Sequence, residues 1–227
     1  ALGRVIAADL GRRGAGRIVL MGRSELPERS SWRDLPSDHQ RAGVVADLVA
    51  LEDAGVRVEV ATVDVSDARA LNTWLRSEQE RGVPPVRGVI HAAGLVRDAL
   101  VPDMSLEDFD AVLEPKVAGG WNLHTVFAKV DLDFFVLFSS TGAVVASPGQ
   151  INYAAGNAFL DALAAHRRAH GLPAVSVGWG PWSVGMVAEL GLEDFYTRRG
   201  IALIGPEAGR RIMDRVLMNP PAHMLAI

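Results

Sequence analysis

The sequence predicts an α/β fold built on a parallel sheet with helices on both faces. Three observations carry this expectation. Short apolar runs of buried-strand type alternate with longer segments of helical period along the whole chain. Strand-like runs sit near 17–23, 57–65, 86–94, 133–140 and 174–182, and MLAI closes the chain. RIVLMGR at 17–23 and DFFVLFSS at 133–140 are short apolar runs of the kind that strands covered on both faces require.

The elements follow in order. ALGRVIAADLGRRG reads as a helix from Ala1, with Leu2, Val5, Ile6 and Leu10 on one stripe. RIVLMGR is a strand. Residues 24–43 hold Pro27, Ser30, Ser31, Pro36 and Gly43, and read as a long surface loop. A helix from Val44 stops at Gly55, and RVEVATVDV is the next strand. DARALNTWLRSEQERG reads as an exposed helix ending at Gly82. The helix from Ser105 opens with a capping signature, Ser105 and then Asp108, with Pro115 and Gly119-Gly120 expected to bend it. A further helix runs from about Asn152 to His170, and another starts at Pro206. A doubly wound fold of Rossmann type begins with a strand and a glycine-rich turn ahead of its first helix. Neither is found here, apart from Gly3 as a final glycine, so the reading is a Rossmann-like sheet whose first strand and phosphate loop lie outside this segment. We expect one domain over 1–227.

Composition narrows the function. With 49% apolar residues the chain can bury a core, and with no cysteine it has neither disulfides nor thiolate metal sites. The absence of cysteine fits a reducing compartment, and the expected location is cytoplasmic. The formal charge is −4 with no long basic stripe, which argues against a nucleic-acid partner. No apolar run is long enough for a membrane span. His166 and His170 lie four apart, but in a basic, alanine-rich helix, and no metal is expected.

The first strand ends in Gly22-Arg23-Ser24, with no carboxylate at its tip. In a dinucleotide fold this position faces the adenosine ribose, and a basic residue there accommodates the 2′-phosphate of NADP. Arg23 and Ser24 are suited to that phosphate, although a surface arginine at a strand end has the same look. Asp64 ends a strand where it could accept from the adenine amino group. His91, Ala92, Ala93 and Gly94 are small or compact residues that let a ribose-nicotinamide half approach the backbone.

Four further residues form a set. Ser140 ends a strand at the carboxyl edge, where ligands bind in such folds. Tyr153 follows thirteen residues later at a helix start, and Asn157 lies one turn along the same face. Lys116 projects from the preceding helix. Ketone reduction needs a proton donor, donors to the carbonyl oxygen, and a charge that tunes the acid. Tyr153 would donate the proton and Ser140 would bind the oxygen. Lys116 would depress the tyrosine pKa, and Asn157 would fix the lysine or a water. Each residue alone is as easily a packed tyrosine, a solvated lysine or a capping serine.

The stretch from Leu137 to Trp182, LFSSTGAVVASPGQINYAAGNAFLDALAAHRRAHGLPAVSVGWGPW, resembles the catalytic core of ketoreductase domains in type I polyketide synthases, within the short-chain dehydrogenase/reductase superfamily. Most of that superfamily carries Tyr-x-x-x-Lys. Here Tyr153 pairs with Asn157 and the lysine stands upstream at Lys116 in LEPKVAGGWNLH, as in the polyketide and animal fatty-acid synthase ketoreductases. GRS at 22–24, DVSD at 64–67 and GVIHAAG at 88–94 extend the resemblance over nearly the whole chain.

The resemblance implies an NADPH-dependent enzyme that reduces a β-ketoacyl thioester on an acyl carrier protein to the β-hydroxyacyl thioester. It implies a second, structural half and other synthase domains in the same polypeptide. It adds Val65, Gly180 and Pro181 to the cofactor residues, with Gly3 as the last glycine of the phosphate loop. It adds Ser139 to the substrate side. B-type stereochemistry is marked by a Leu-Asp-Asp motif, of which Val96-Arg97-Asp98 keeps the last acid, and Arg97 has the look of a surface residue. Val145 stands where A-type members have tryptophan, and Pro148 and Asn152 resemble B-type companions. A substrate lid is expected over about 183–204, with Gly185 and Met186 nearest the acyl chain. As a plain amphipathic helix, the same segment would pack Leu190, Leu192 and Phe195 on the body. The alternatives are a fatty-acid synthase ketoreductase, a redox-silent carrier-binding module and a free-standing alcohol dehydrogenase.

Overall fold

Helix α1 (Leu2–Arg12) leads directly into strand β1 (Arg17–Gly22), in a computed structural model that describes residues 2–145, 147–221 and 223–227. Ala1, the expected start of that helix, lies outside the described residues. Chain contacts divide into two compact units, residues 1–64 and 65–227, where the sequence suggested one domain.

In the first unit, β1 pairs in parallel with β2 (Arg57–Thr62), from Arg17 opposite Arg57 to Gly22 opposite Thr62. Helix α2 (Ala42–Asp53) connects them and stops at Ala54 and Gly55, whose φ of +86° suits a residue without a Cβ. Val45, Leu48, Leu51, Val56 and Val58 form the core with Ala7 of α1. Each such branched aliphatic contributes about 1.5–3 kcal/mol by leaving water. The expected surface loop at 24–43 departs from its prediction. Arg29–Asp34 coil into a 3₁₀ turn that buries Trp32, whose indole N–H donates to the Pro27 carbonyl at 2.9 Å.

The second unit contains a four-stranded parallel sheet in the order β3 (Gly88–His91), β4 (Phe134–Ser140), β5 (Val175–Trp179), β6 (His223–Ala226). Its strand interiors are apolar and buried: Phe135, Val136, Leu137, Val175 and Val177 have at most 2% of their surface exposed. Before the sheet, α3 (Ala68–Glu80) is capped by Asp67, whose carboxylate accepts from the Arg69 and Ala70 amides. Helix α4 (Leu106–Val126) connects β3 to β4. Ser105 caps it as expected, accepting from the Asp108 amide at 3.0 Å and donating to the Asp108 carboxylate at 2.8 Å. Pro115 sits inside this helix, which runs without interruption from Leu106 to Val126.

Helix α5 (Ile151–Ala169) connects β4 to β5, and α8 (Pro206–Met218) precedes β6. Two short helices, α6 (Met186–Glu189) and α7 (Glu193–Thr197), fill the region after β5. The strands are shorter than the apolar runs that signalled them. His91, Ser140 and Trp179 are the last laddered residues of β3, β4 and β5, and the residues beyond them are free to line a site. The architecture is a Rossmann-like α/β fold.

Candidate active site

Small residues bring α4 and α5 close enough to bury a lysine. A Cβ on Gly156 of α5 would lie 3.1 Å from the Lys116 Cδ, and one on Gly94 would lie 3.2 Å from its Cε. The smallness of Gly94, read from sequence as room for a cofactor, accommodates the lysine stem. Lys116 is only 4% exposed, and its ammonium donates to the Phe138 carbonyl of β4 at 3.2 Å. Burial disfavours the charge and lowers the Lys116 pKa to about 8, while Asp161, two turns along α5 from Tyr153, pulls it back upward.

Ser140 closes β4 in extended conformation and turns its hydroxyl onto the Gly142 amide at 3.1 Å, capping the 3₁₀ turn Thr141–Ala143. Tyr153 lies beside that turn: a Cβ on Gly142 would be 3.4 Å from the Ser140 hydroxyl oxygen and 3.7 Å from two Tyr153 ring carbons. The Lys116 nitrogen stands 5.6 Å from the centroid of the Tyr153 ring. Thus the structure brings Ser140, Tyr153, Lys116 and Asn157 together.

The tuning of Tyr153 differs from the sequence expectation. Burial raises its pKa, and the Ser140 and Asn157 side chains lower it by hydrogen bonding, with Asp98 and Tyr196 raising it further. Asn157 is fully buried; its amide nitrogen donates to the Tyr153 carbonyl at 2.8 Å, and its Oδ1 has no hydrogen-bond partner among the described residues. Ser139, expected on the substrate side, is 4% exposed and donates to the Asn157 carbonyl at 3.2 Å, so it braces α5 from beneath.

Residues 97–99 are stapled to the segment before Tyr153. Gln150 donates to the Asp98 carboxylate at 2.8 Å, and the Ala99 amide donates to the Gly149 carbonyl at 3.0 Å. Fully buried Asn152 donates to the Arg97 carbonyl at 2.8 Å and accepts from the Tyr153 amide at 2.7 Å. Both amide atoms are thereby engaged inside the protein. Arg97 and Asp98 are exposed, with Arg97 3.5 Å from Asp108, and Pro148 is exposed.

The segment expected to form a lid is tied together at its base. The Ile204 amide donates to the Pro181 carbonyl at 2.8 Å, the Ser183 amide donates to the Ile204 carbonyl at 3.0 Å, and Trp182 is buried. Gly185, with φ of +76°, turns the chain into α6 at Met186, and both residues are half-buried. Leu190 and Phe195 are 55% and 43% exposed, so the plain amphipathic packing fails for them; Val187 is the residue packed inward. Tyr196 of α7 was missed from sequence. Its charge would raise the Tyr153 pKa, and its own pKa is raised by burial and by Asp98. A lone tyrosine in a polar helix carries no periodic signal.

The expected cofactor residues divide between the units. In the first, Arg23 and Ser24 follow β1 and are exposed, and Gly3 lies within α1 with open space where a Cβ would point. The strand tip is not free of carboxylate: Asp64 lies beyond the end of β2 at Thr62, and its oxygen comes within 3.9 Å of Arg23 Nε. In the second unit, Val65 packs against α4, 2.7 Å from where a Gly119 Cβ would be, and its carbonyl accepts from Asn122 at 3.0 Å. Ala92 and Ala93 are half-buried beyond β3. His91 is 3% exposed, and its Nε2 meets the Pro115 carbonyl at 3.0 Å. Gly180 donates its amide to the Ala226 carbonyl at 2.7 Å, and half-buried Pro181 holds the lid base.

With this geometry in place, comparison with known proteins is specific. The family described as KR domain matches residues 1–184. The 6-methylsalicylic acid synthase of Aspergillus niger is 40% identical over 219 residues, covering 95% of this chain and 12% of that protein. A phenolphthiocerol synthesis polyketide synthase type I of Mycobacterium marinum is 47% identical over 187 residues, covering 80% of this chain and 9% of that protein. Among solved structures, an A1-type ketoreductase superposes with a TM-score of 0.83 at 37% identity, over 98% of this chain and 44% of that one. The ketoreductase from the first module of phoslactomycin biosynthesis in Streptomyces sp. HK803 gives 0.84 at 34% identity, over 99% of this chain and 49% of that one. The chain thus spans about a tenth of the curated synthases and just under half of the solved ketoreductases. Residues 65–227 hold serine, tyrosine, asparagine and an upstream lysine in one cluster, and these likenesses place the chain in the KR domain family, the ketoreductase domains of polyketide synthases.

Proposed function

We propose that this chain, as one catalytic domain, reduces a β-ketoacyl thioester carried on an acyl carrier protein to the β-hydroxyacyl thioester, using NADPH. The observation that carries the proposal is the cluster itself, with Ser140 and Tyr153 side by side and Lys116 buried behind them. Such a cluster provides one hydroxyl to hold a carbonyl oxygen and another to protonate it. Ser140 donates to the substrate oxygen. As hydride reaches the β-carbon, the proton on Tyr153 Oη passes to that oxygen, which becomes the alcohol. Tyr153, kept protonated by its burial, is then the conjugate base, and it is reprotonated from the side of Lys116 and Asn157.

The donor set fits NADPH. Arg23 has a side chain 65% exposed, and its nearest carboxylate, at 3.9 Å, lies beyond hydrogen-bond reach. The guanidinium is therefore available to a 2′-phosphate, with Ser24 as a second donor and Asp64 for the adenine amine. Lys116, Tyr153 and the residues from His91 to Gly94, with Gly180 and Pro181, would hold the ribose-nicotinamide end; Val65 and Gly3 complete the set. NADPH supplies the hydride when bound.

On the substrate side we assign Asp98 and Pro148 to the acyl approach and Gly185 and Met186 to the lid. Ser139 and Asn152 act from beneath through the backbone they hold. B-type stereochemistry is supported by Asp98, stapled through Gln150 beside the tyrosine, and by Val145 in place of tryptophan. The structural half, the other synthase domains and the carrier protein are partners expected in one polypeptide, in the cytoplasm. No described helix is long and apolar enough to cross a membrane.

The test follows NADPH absorbance with a β-ketoacyl thioester in the full-length protein, with the hydroxy product resolved by chiral chromatography. Consumption yielding a single B-type enantiomer supports the reading, and the opposite enantiomer overturns its stereochemical part. Tyr153→Phe should cost about a hundredfold or more in turnover while NADPH still binds. Undiminished turnover in that variant overturns the mechanism.

A further inference from the structure

Two neighbouring strands hold consecutive residues of α4. His91, the last residue of β3, meets the Pro115 carbonyl through Nε2 at 3.0 Å. The next residue, Lys116, donates its ammonium to the carbonyl of Phe138 on β4 at 3.2 Å. The two anchors are neighbours in the sheet: His91 pairs with Leu137, and Phe138 is one residue further along.

A carbonyl only accepts, so Nε2 must carry the proton in the His91–Pro115 bond. His91 is 3% exposed and has a buried ammonium in its surroundings, and both hold it neutral, at a pKa lowered to about 4. The imidazole therefore remains a fixed donor over the working pH range. Gly119 of α4 faces the ring: a Cβ there would lie 3.6 Å from its Cε1.

The turn it grips needs an anchor. Proline contributes no amide hydrogen, so the helical bond from residue 115 to residue 111 cannot form. A helix that loses a rung at this point can bend there, and Lys116 would move with the bend. We propose that His91 is a positioning residue for Lys116: its Nε2–H holds the Pro115 carbonyl and so fixes the helical turn from which the ammonium reaches the Phe138 carbonyl. This assignment rests on the proposed role of Lys116 in reprotonating Tyr153.

The experiment uses the full-length protein with acetoacetyl-N-acetylcysteamine as the probe substrate and NADPH as reductant. Turnover and KM are measured across pH for His91→Met, which keeps bulk without a donor, and for His91→Gln, which offers an amide N–H close to the position of Nε2. Thermal melting is recorded for each. His91→Met should lower kcat by about tenfold or more and displace the alkaline limb of the pH profile. His91→Gln should restore most of the loss and return the limb. Parent-like kcat and pH limb in folded His91→Met overturn the proposal, as does a loss in His91→Gln equal to that in His91→Met. If His91→Met does not melt cooperatively, His91→Asn, whose donor falls short of the carbonyl, takes its place with the same expectation. Lys116→Ala separates the two readings. Unaffected turnover there overturns the role of the lysine itself, whereas lost turnover with a parent-like His91→Met overturns only the positioning role.

Discussion

The Lys116 ammonium donates to the Phe138 carbonyl at 3.2 Å, so the cation of the site is held from the sheet while its stem lies between the glycines of two other segments. Among the described residues no carboxylate is hydrogen-bonded to it. A buried ammonium held only by a neutral acceptor is readily deprotonated.

That arrangement sets a pH dependence. Lys116 titrates at about 8 in the folded protein against an ordinary 10.5. Reduction consumes a proton, and the protonated lysine is the form able to return it. In the reduction direction kcat/KM should therefore fall as pH rises through about 8. Stability responds with the opposite sign. Between about 8 and 10.5 the unfolded chain binds the proton that the folded chain has released, so this group adds stability as pH rises. Activity should thus decline over a range where melting attributable to Lys116 does not worsen. Steady-state rates and melting curves in the same buffers check both, and Lys116→Met should abolish the stability increment.

His91 gives the converse case at acid pH. Its pKa is lowered from 6.5 to about 4, mainly by burial. The stabilisation associated with its neutrality is complete above 6.5 and is lost as pH falls towards 4, because the unfolded chain takes up the proton first. The shift corresponds to roughly 3 kcal/mol. His91→Gln has no such group, so its denaturation midpoint should vary less between pH 6.5 and 4 than that of the parent. Equal slopes for the two proteins would contradict the neutral, buried imidazole.

Much of this was legible in the sequence, because helices and strands announce themselves by period. Ser105 sits where a capping residue belongs, and the apolar run ending at Ser140 marked the strand edge. Ser140, Tyr153 and Asn157 were readable because they share one strand, turn and helix. Partnerships across the fold were not. The polar surroundings of Trp32 suggested a loop, yet its indole closes onto Pro27 and enters the core. Asp64 meets Arg23 across two paired strands, although the strand tip Gly22-Arg23-Ser24 itself contains no acid. The His91–Pro115 bond joins residues 24 apart, and no local pattern encodes such a separation.

Arg23 provides the cofactor test. A guanidinium on a 2′-phosphate makes charge-assisted bonds that NADH cannot accept. Arg23→Asp removes them and brings a second carboxylate near Asp64. Binding of NADPH should weaken by about tenfold to a hundredfold, while binding of NADH changes far less. Fluorescence titration with each nucleotide reads the ratio, and an unchanged ratio would remove Arg23 from the site.

Asn152 should matter for stability and for rate together. Its amide joins the Arg97 carbonyl to the Tyr153 amide in a fully buried position. Asn152→Ala leaves both backbone groups without that partner, at a cost on the order of 2 kcal/mol or more. For a protein of this size that lowers Tm by about 4–8 °C. The loosened connection also frees residues 97–99 from the start of α5, where Tyr153 stands. Turnover should therefore fall more than nucleotide affinity, and the product should lose enantiomeric purity as the carbonyl is presented on either face. Asn152→Asp separates the two halves of the bond. Its carboxylate can still accept from the Tyr153 amide, but it faces the Arg97 carbonyl with no proton to give, so this variant should melt no higher than Asn152→Ala. A variant that keeps the parent melting temperature and a single enantiomer would show that the staple does not organise the site.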